Sequence, residues 1–252
     1  MTPASRKILS AFSLFLTLTS PVLAQFDDGV AAMNSGDYAK ALDAWQKSGE
    51  NDPRALYSLG YLYQFGLGTG VDLGKARDYY QKAAALNNAD AAYALGLLYE
   101  AGKGIPRDLA QAMIYYRQAA TQGPHPDAEY AIGRMYLRGR GVTRDPVEAL
   151  PWLRKAADHG NPAAQYMLGA SYEAGWGVPP DKVEAYYWYS RAQQGDTVEL
   201  EEQDMSFQPK IALDSLRRTM SPTQLASAKA MLRAATPAQT ATAKKKAKQA
   251  GE

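Results

Sequence analysis

The sequence predicts an all-α protein built from repeated pairs of helices. Glycines that follow an apolar residue recur at spacings of 36, 37 and 36 residues, at Gly60, Gly96, Gly133 and Gly169. Relative to each of these origin glycines, Ala stands five residues before, Tyr three before and three after, and Asp twelve after. A fixed period of this length with matching positions is typical of repeat proteins whose units stack in register.

The first part of each unit is predicted to form a short helix. Small or apolar residues at offsets −5, −1, 0 and +3 from the origin glycine fall on one face of a helix of about three turns. An origin residue without a side chain allows a neighbouring helix to approach closely. A Gly-x-Gly sequence follows in every unit, and one of its glycines is suited to the left-handed end of a helix.

A second helix is predicted after the recurring aspartate. Each aspartate is an expected N-cap, and three of them are followed three residues later by Gln or Glu, which predicts a capping box at Asp108, Asp145 and Asp181. The second helices are expected to end near Asn87, Gly123 and Gly160. We interpret the aspartate column as structural, not catalytic, because capping explains both its side-chain length and its spacing.

Residues 1–24 are predicted to be a signal peptide. Arg6 and Lys7 precede an apolar run from Ile8 to Leu18, and small residues surround a cleavage site after Ala24. The run is too short to cross a bilayer as a helix. Export to the bacterial periplasm with no stable membrane anchor after cleavage is therefore expected, and an uncleaved anchor is the alternative.

The remaining segments follow from local composition. Ahead of four full repeats over 54–195, the sequence G-D-Y-A-K-A-L-D-A-W at 36–45 resembles half of a repeat, which is expected over 26–53. Glu199, Glu201, Glu202 and Asp204 in 196–209 predict a solvated linker, with a divalent-cation site as the alternative. Two capping helices are expected over 210–235, and the Lys-rich tail over 236–252 is expected to be disordered because it has little to bury.

The repeat is similar to a known family. The unit A-A-Y-A-L-G-L-L-Y-E-A-G-K-G-I-P-R-D-L-A-Q-A-M-I-Y-Y-R-Q-A-A at 91–120 resembles the Sel-one-like repeat family, the 36-residue branch of the tetratricopeptide (TPR) superfamily. The resemblance implies a right-handed α-solenoid of antiparallel helix pairs, a TPR-like superhelix that acts as an adaptor and needs no chemistry of its own. Some secreted relatives carry a disulfide in each repeat, and this chain, which has no cysteine, departs from them.

Composition and charge exclude several classes of function. The absence of Cys excludes disulfide scaffolds, Cys-ligated metals and thiol nucleophiles. Removal of residues 1–24 leaves 26 basic and 26 acidic residues, so a nucleic-acid partner is not expected. The two histidines, His125 and His159, fit no metal or catalytic spacing. We therefore predict neither an enzyme nor a cofactor.

Candidate binding residues are found where the repeats differ. In the related family the first helix of each unit lines a concave groove. A constant row of tyrosines is expected along it at Tyr57, Tyr93, Tyr130 and Tyr166. Beside the row, the +1 position changes from Tyr61 to Arg134 and the +5 position from Phe65 to Arg138. The groove is thus predicted to change from aromatic and apolar to basic along its length.

At two places a single repeat differs from the others and adds residues to this candidate site. Arg134 and Arg138 lie one helical turn apart, with Arg140 and Arg144 in the following loop. Arginines of this kind favour an acidic peptide, and a solvated face with intramolecular ion pairs is the alternative. Trp176 is either a binding anchor in a loop or packs beneath Pro179-Pro180. The expected partner-binding residues are Tyr57, Tyr61, Tyr93, Tyr130, Arg134, Arg138, Tyr166 and Trp176.

The sequence as a whole predicts an exported scaffold that binds a protein or peptide and serves as an adaptor or regulator of an envelope process. Two alternatives stay open. The tyrosine row would also suit an adaptor for cell-wall polysaccharide. A hydrolase acting on the cell wall is the alternative from the enzyme class.

Overall fold

The computed structural model describes residues 21–49, 51–195 and 207–249. The predicted signal peptide lies outside this part of the chain except for residues 21–24. Most of the predicted acidic linker, residues 196–206, also lies outside it.

The described residues form twelve helices and no strand, which confirms the predicted all-α class. The helices are α1 Pro21–Asn34, α2 Tyr38–Lys47, α3 Pro53–Phe65, α4 Leu73–Ala85, α5 Ala89–Ala101, α6 Leu109–Thr121, α7 Pro126–Arg138, α8 Pro146–Asp158, α9 Pro162–Ala174, α10 Lys182–Gln194, α11 Pro209–Thr219 and α12 Pro222–Gln249. No helix in the described part of the chain is long and apolar enough to cross a bilayer.

Helices pack as successive pairs, from α1 with α2 to α9 with α10. The second helix of each pair also packs against the first helix of the next, which stacks the pairs in one direction. Buried alanine, leucine and aromatic side chains form the core between them. The predicted solenoid of helix pairs is confirmed by this arrangement.

The origin glycines lie where the two helices of a pair touch. A Cβ atom on Gly60 would lie 2.6 Å from the ring of Tyr80 in α4, and one on Gly133 would lie 2.7 Å from Leu153 in α8. These separations are shorter than any ordinary carbon contact. Any side chain at the origin position would therefore push the pair apart, and the predicted close approach is confirmed.

Both glycines of each Gly-x-Gly are required, for different reasons. The first takes the predicted left-handed cap, as at Gly139 with φ of 65°. The second, Gly141, has φ of 73°, and a Cβ there would lie 2.9 Å from the carbonyl oxygen of Leu109 in the preceding unit. Gly141 therefore lets its loop pack directly on the main chain of the preceding unit.

The predicted capping boxes are half right. Asp145 accepts hydrogen bonds from the backbone N–H groups of Val147 and Glu148, as an N-cap should. The return bond is not made by Glu148, because the N–H of Asp145 donates to the carbonyl of Tyr136 at 2.9 Å. The same backbone bond recurs in the other repeats, from Asp72 to Tyr63, Asp108 to Tyr99 and Asp181 to Tyr172. The loop thus satisfies the donor that the glutamate was expected to satisfy.

The N-terminal segment is a complete helix pair, where the sequence suggested only half a repeat. A Cβ on Gly29 would collide with the indole of Trp45, so Gly29 acts as a fifth origin glycine. Asp37 caps α2 just as Asp72 caps α4. Eight residues separate Gly29 from Asp37, against twelve in the other units, and the shorter loop lacks Gly-x-Gly. Because of this shorter loop, the N-terminal pair does not follow the 36-residue spacing of the other units.

The last two helices cover the end of the stack, as predicted. Leu213 and Leu216 of α11 are buried against Ala185 and Tyr189 of α10. Helix α12 also packs on α10. It extends to Gln249, through most of the segment for which disorder was expected. Ala, Gln and Lys are strong helix formers, so a segment with little to bury can still be helical.

Candidate functional site

We use the term first-helix face for the surface formed by α3, α5, α7 and α9. The tyrosine row lies on it, with each ring half-buried. The ring of Tyr57 lies 5.7 Å from that of Tyr80, and the ring of Tyr93 lies 5.7 Å from that of Tyr116. Burial raises the pKa of both Tyr57 and Tyr93. The row therefore serves packing within each pair as well as presenting polar edges at the surface.

An apolar pocket lies at the N-terminal end of this face. It has a volume of about 280 Å³ and brings Tyr57 and Tyr61 together with Val30, Met33 and Trp45. Phe65 lies one turn beyond Tyr61, with 52% of its surface exposed and its ring 4.6 Å from that of Tyr61. The aromatic end of the predicted groove is thus a shallow apolar site.

The middle of the face is occupied by contacts within the chain. Arg134 places Nη2 2.8 Å from both carboxylate oxygens of the buried Glu100, and Arg140 lies 3.0 Å from the same carboxylate. The hydroxyl of Tyr116 donates a third bond to Glu100 at 2.7 Å. Arg134 and Arg140 thus make ion pairs within the chain, which favours the ion-pair alternative for these two residues. An uncompensated carboxylate at this depth would be costly, which is why it collects two guanidinium groups.

Glu100 belongs to a pattern that the sequence analysis missed. The +4 position accepts the hydroxyl of a tyrosine at +20, as in Gln64 with Tyr80 at 2.7 Å and Glu173 with Tyr189 at 2.8 Å. In the third repeat both positions are leucine, at 137 and 153. The two columns change together, and comparing them would have identified Glu100 as an internal acceptor.

The remaining rings of the tyrosine row differ in their neighbours. The imidazole of His125 lies 4.8 Å from the ring of Tyr93, and Phe207 lies 4.8 Å from the ring of Tyr166. The guanidinium of Arg134 lies 5.7 Å from the ring of Tyr130. These neighbours leave the middle of the row poorly placed for an external ligand.

A second pocket, here called the Trp176 pocket, lies between α7 and α9. It has a volume of about 320 Å³. Its lining consists of Leu137, Arg138, Arg144, Tyr166, Met167, Ala170 and Trp176. Trp176 keeps 41% of its surface exposed. Three predicted partner-binding residues, Arg138, Tyr166 and Trp176, therefore meet at one place although they span 39 positions of the chain.

The histidines have structural contacts. His125 accepts a hydrogen bond from the N–H of Ala128 and so caps α7. His159 Nδ1 lies 2.7 Å from the fully buried carboxylate of Glu129, which also lies 3.0 Å from Lys155. Among the described residues, no group of three or more potential ligands could hold a metal ion.

Comparison with known proteins places this arrangement in a family. The family model of the Sel1 repeat matches residues 53–88, 89–124, 126–161 and 162–192, which together make up more than half of the chain. The chain belongs to the Sel1 repeat family. The four matched segments correspond to the helix pairs α3/α4, α5/α6, α7/α8 and α9/α10. Sel1 repeats are in general non-catalytic scaffolds for protein interaction.

Two solved structures show the same repeat architecture. A Sel1 repeat protein from Oxalobacter formigenes is 34% identical with a TM-score of 0.64, and the match covers 68% of this chain and 71% of that one. A protective antigen of uropathogenic Escherichia coli with an SLR fold is 38% identical with a TM-score of 0.59. That match covers 66% of this chain and 35% of the antigen.

Proposed function

We propose that this Sel1 repeat protein is an exported adaptor that binds a protein or peptide partner through its first-helix face and serves an envelope process in the bacterial periplasm. The Trp176 pocket is the observation that carries the proposal. It combines an exposed indole with a lining of apolar and cationic side chains on a scaffold whose family generally binds proteins. Tryptophan and arginine are the side chains most enriched among residues that dominate binding energy.

The two ends of the face give the proposed interface a direction. The apolar pocket at Tyr57 and Tyr61 would receive apolar side chains, and the Trp176 pocket would receive a segment with acidic character. Between them Arg134 and Arg140 share the carboxylate of Glu100, so part of their charge is compensated within the chain. A partner that spans both pockets would be bound in one orientation only.

The proposed location depends on the predicted signal peptide. A basic start, a short apolar run and small residues before Gln25 are the pattern of a cleaved export signal. A chain without cysteine folds without any disulfide, so export places no redox demand on it.

The polysaccharide alternative has less support. Stacking on sugars needs exposed ring faces, and the rings of Tyr57, Tyr93 and Tyr166 each pack against a second aromatic side chain. A hydrolase would need available catalytic groups, and the carboxylate of Glu100 is engaged by Tyr116, Arg134 and Arg140.

The proposal is tested by affinity capture from an envelope extract with the chain from Gln25 onward. Trp176→Ala and Tyr61→Ala are compared with Ile114→Ala, a control at an exposed isoleucine on the second helix of its pair. We expect a partner that is retained by wild type and control and lost from at least one of the two face variants. Equal recovery by all four proteins would contradict binding through this face.

A further inference from the structure

The Trp176 pocket is large enough to admit a large side chain. Its volume of about 320 Å³ lies at the lower end of the roughly 300–1,000 Å³ range of small-molecule sites. Leu137, Met167 and Ala170 supply apolar walls from two consecutive first helices, and Trp176 closes the pocket from the loop after α9. A large apolar side chain fits within this space, with room for part of the adjoining residue.

One wall of the pocket is held rigidly before any ligand arrives. The ring of Tyr166 lies 5.2 Å from Tyr189 on one side and 4.8 Å from the buried Phe207 on another. Both neighbours are buried, so they restrict the rotation of the Tyr166 ring. A fixed wall reduces the ordering cost of binding.

Two uncompensated cations border this apolar space. In the part of the chain that the structure describes, neither Arg138 nor Arg144 has an ion-pair partner. Arg144 donates only its Nε to the carbonyl of Leu137, at 3.0 Å, which leaves its terminal nitrogens available. The neighbouring Arg134 and Arg140 differ from them, because both form ion pairs with the single carboxylate of Glu100. The chain thus pairs two of its four clustered arginines and leaves unpaired the two that line the pocket.

We infer that the Trp176 pocket binds a partner peptide in which a large apolar side chain stands directly beside Asp or Glu. The apolar side chain enters between α7 and α9, and the adjacent carboxylate is bound by the guanidinium groups of Arg138 and Arg144. Guanidinium groups form paired hydrogen bonds with carboxylates, which gives geometric selectivity as well as attraction. This inference rests on the proposed function and names the chemistry of its partner.

The test uses a phage-displayed library of random nonapeptides, panned against wild-type protein, with affinities of enriched peptides measured by fluorescence anisotropy. The chain supplies a matched control. Arg107 occupies in the second repeat the position that Arg144 has in the third, and its Nε donates to the carbonyl of Glu100 at 3.1 Å. Arg107→Glu and Arg144→Glu therefore have the same local cost, and only the second alters the pocket.

Enriched peptides should contain an aromatic or large aliphatic residue next to Asp or Glu. Loss of a central contact typically weakens binding by about tenfold or more, and we expect this for Arg138→Glu and Trp176→Ala. Arg144→Glu should weaken binding, and Arg107→Glu should leave it unchanged. Panning against Arg138→Glu should no longer select acidic residues.

Three outcomes would overturn the inference. Enriched peptides that bind all pocket variants equally but lose affinity on Tyr61→Ala would place the specificity at the apolar pocket and leave the proposed function intact. Peptides that need Trp176 but show no acidic preference would remove the role of the two arginines. No enrichment at all would reject a linear peptide as the ligand, while the capture experiment would judge the proposed function separately.

Discussion

Arg134 of α7 places its Nη2 atom 2.8 Å from both carboxylate oxygens of Glu100, which lies one repeat earlier on α5. The same carboxylate accepts the hydroxyl of Tyr116 from α6 and contacts Arg140 in the loop after α7. One side chain therefore joins both helices of the second Sel1 repeat to the first helix and loop of the third.

Replacing this carboxylate should destabilise the stack. Glu100→Ala leaves Arg134 and the Tyr116 hydroxyl without their partner, and removal of one member of a buried ion pair costs about 3–5 kcal/mol. Glu100→Gln should cost less, since Gln64 accepts the Tyr80 hydroxyl at the equivalent position. Urea unfolding followed by circular dichroism measures both. Glu173→Ala is the control, because this exposed residue accepts only the Tyr189 hydroxyl. An equal loss for Glu100→Ala and Glu173→Ala would argue against the proposed link.

Replacing the two residues of the predicted capping box, Asp145 and Glu148, should have different effects on stability. Asp145→Ala removes the acceptor of two backbone N–H groups and should lower the free energy of unfolding by about 1 kcal/mol. Glu148→Ala should change it little, because the N–H of Asp145 donates to Tyr136 instead. Thermal unfolding of the two variants decides this. A comparable loss for Glu148→Ala would restore the capping box that the structure rejects.

The origin glycine should not tolerate a methyl group. Gly60→Ala would push its Cβ into the ring of Tyr80, and overpacking of this kind costs about 1–3 kcal/mol. Gly70→Ala is the control, since a Cβ there meets nothing within 4 Å. The comparison requires only thermal midpoints of the two variants. If both variants have the same thermal midpoint as wild type, the close approach of α3 and α4 is not needed for stability.

Alkaline pH should unfold the protein through its tyrosines. Burial raises the pKa of Tyr80, Tyr116 and Tyr189 above the ordinary value of 10.0. Between the unfolded and the folded pKa, only the unfolded chain loses these protons, so stability falls as the pH rises above about 10. Absorbance at 295 nm and circular dichroism should therefore show tyrosinate formation and helix loss together. Complete tyrosine ionisation with helices intact would contradict this burial.

Export should produce a defined N-terminus. We expect the mature chain to begin at Gln25, with reporter fusions active in the periplasm. Cleavage there would remove the first turn of α1 and keep Phe26, whose backbone carbonyl accepts the indole N–H of Trp45 at 3.2 Å. N-terminal sequencing of the exported protein provides the measurement. A mature chain that keeps Met1 would reject cleavage.

Most of the fold was predictable because the residues that recur in each repeat act through contacts with their neighbours in the chain. Asp145 caps a helix through its own neighbours, and Gly139 ends one through its own backbone angle, so neither needs information from another repeat. The N-terminal segment was not predicted as a complete pair because its loop between Gly29 and Asp37 is four residues shorter than in the other units. The signal was present in the shared spacing of Asp37, Ala41 and Trp45.

The candidate site was predictable only in part. Arg134 and Arg138 look equivalent as neighbours on one helix, yet Glu100 pairs with Arg134 and leaves Arg138 unpaired. That distinction depends on a contact between residues 34 positions apart. The meeting of Arg138, Tyr166 and Trp176 likewise depends on how adjacent repeats stack, which the pattern within one repeat does not describe.

The second glycine of the Gly-x-Gly loops has a consequence for how repeat proteins of this kind evolve. At Gly141 and Gly177 the loop meets main-chain atoms of the preceding unit, the carbonyl oxygens of Leu109 and Pro146. Gly68 meets the backbone of Tyr38 in the same way, so three of the four Gly-x-Gly loops make a contact that depends little on side chains. Whole units can therefore be gained or lost by unequal recombination without redesign of the joint, and surface specificity can diversify afterwards, one copy at a time.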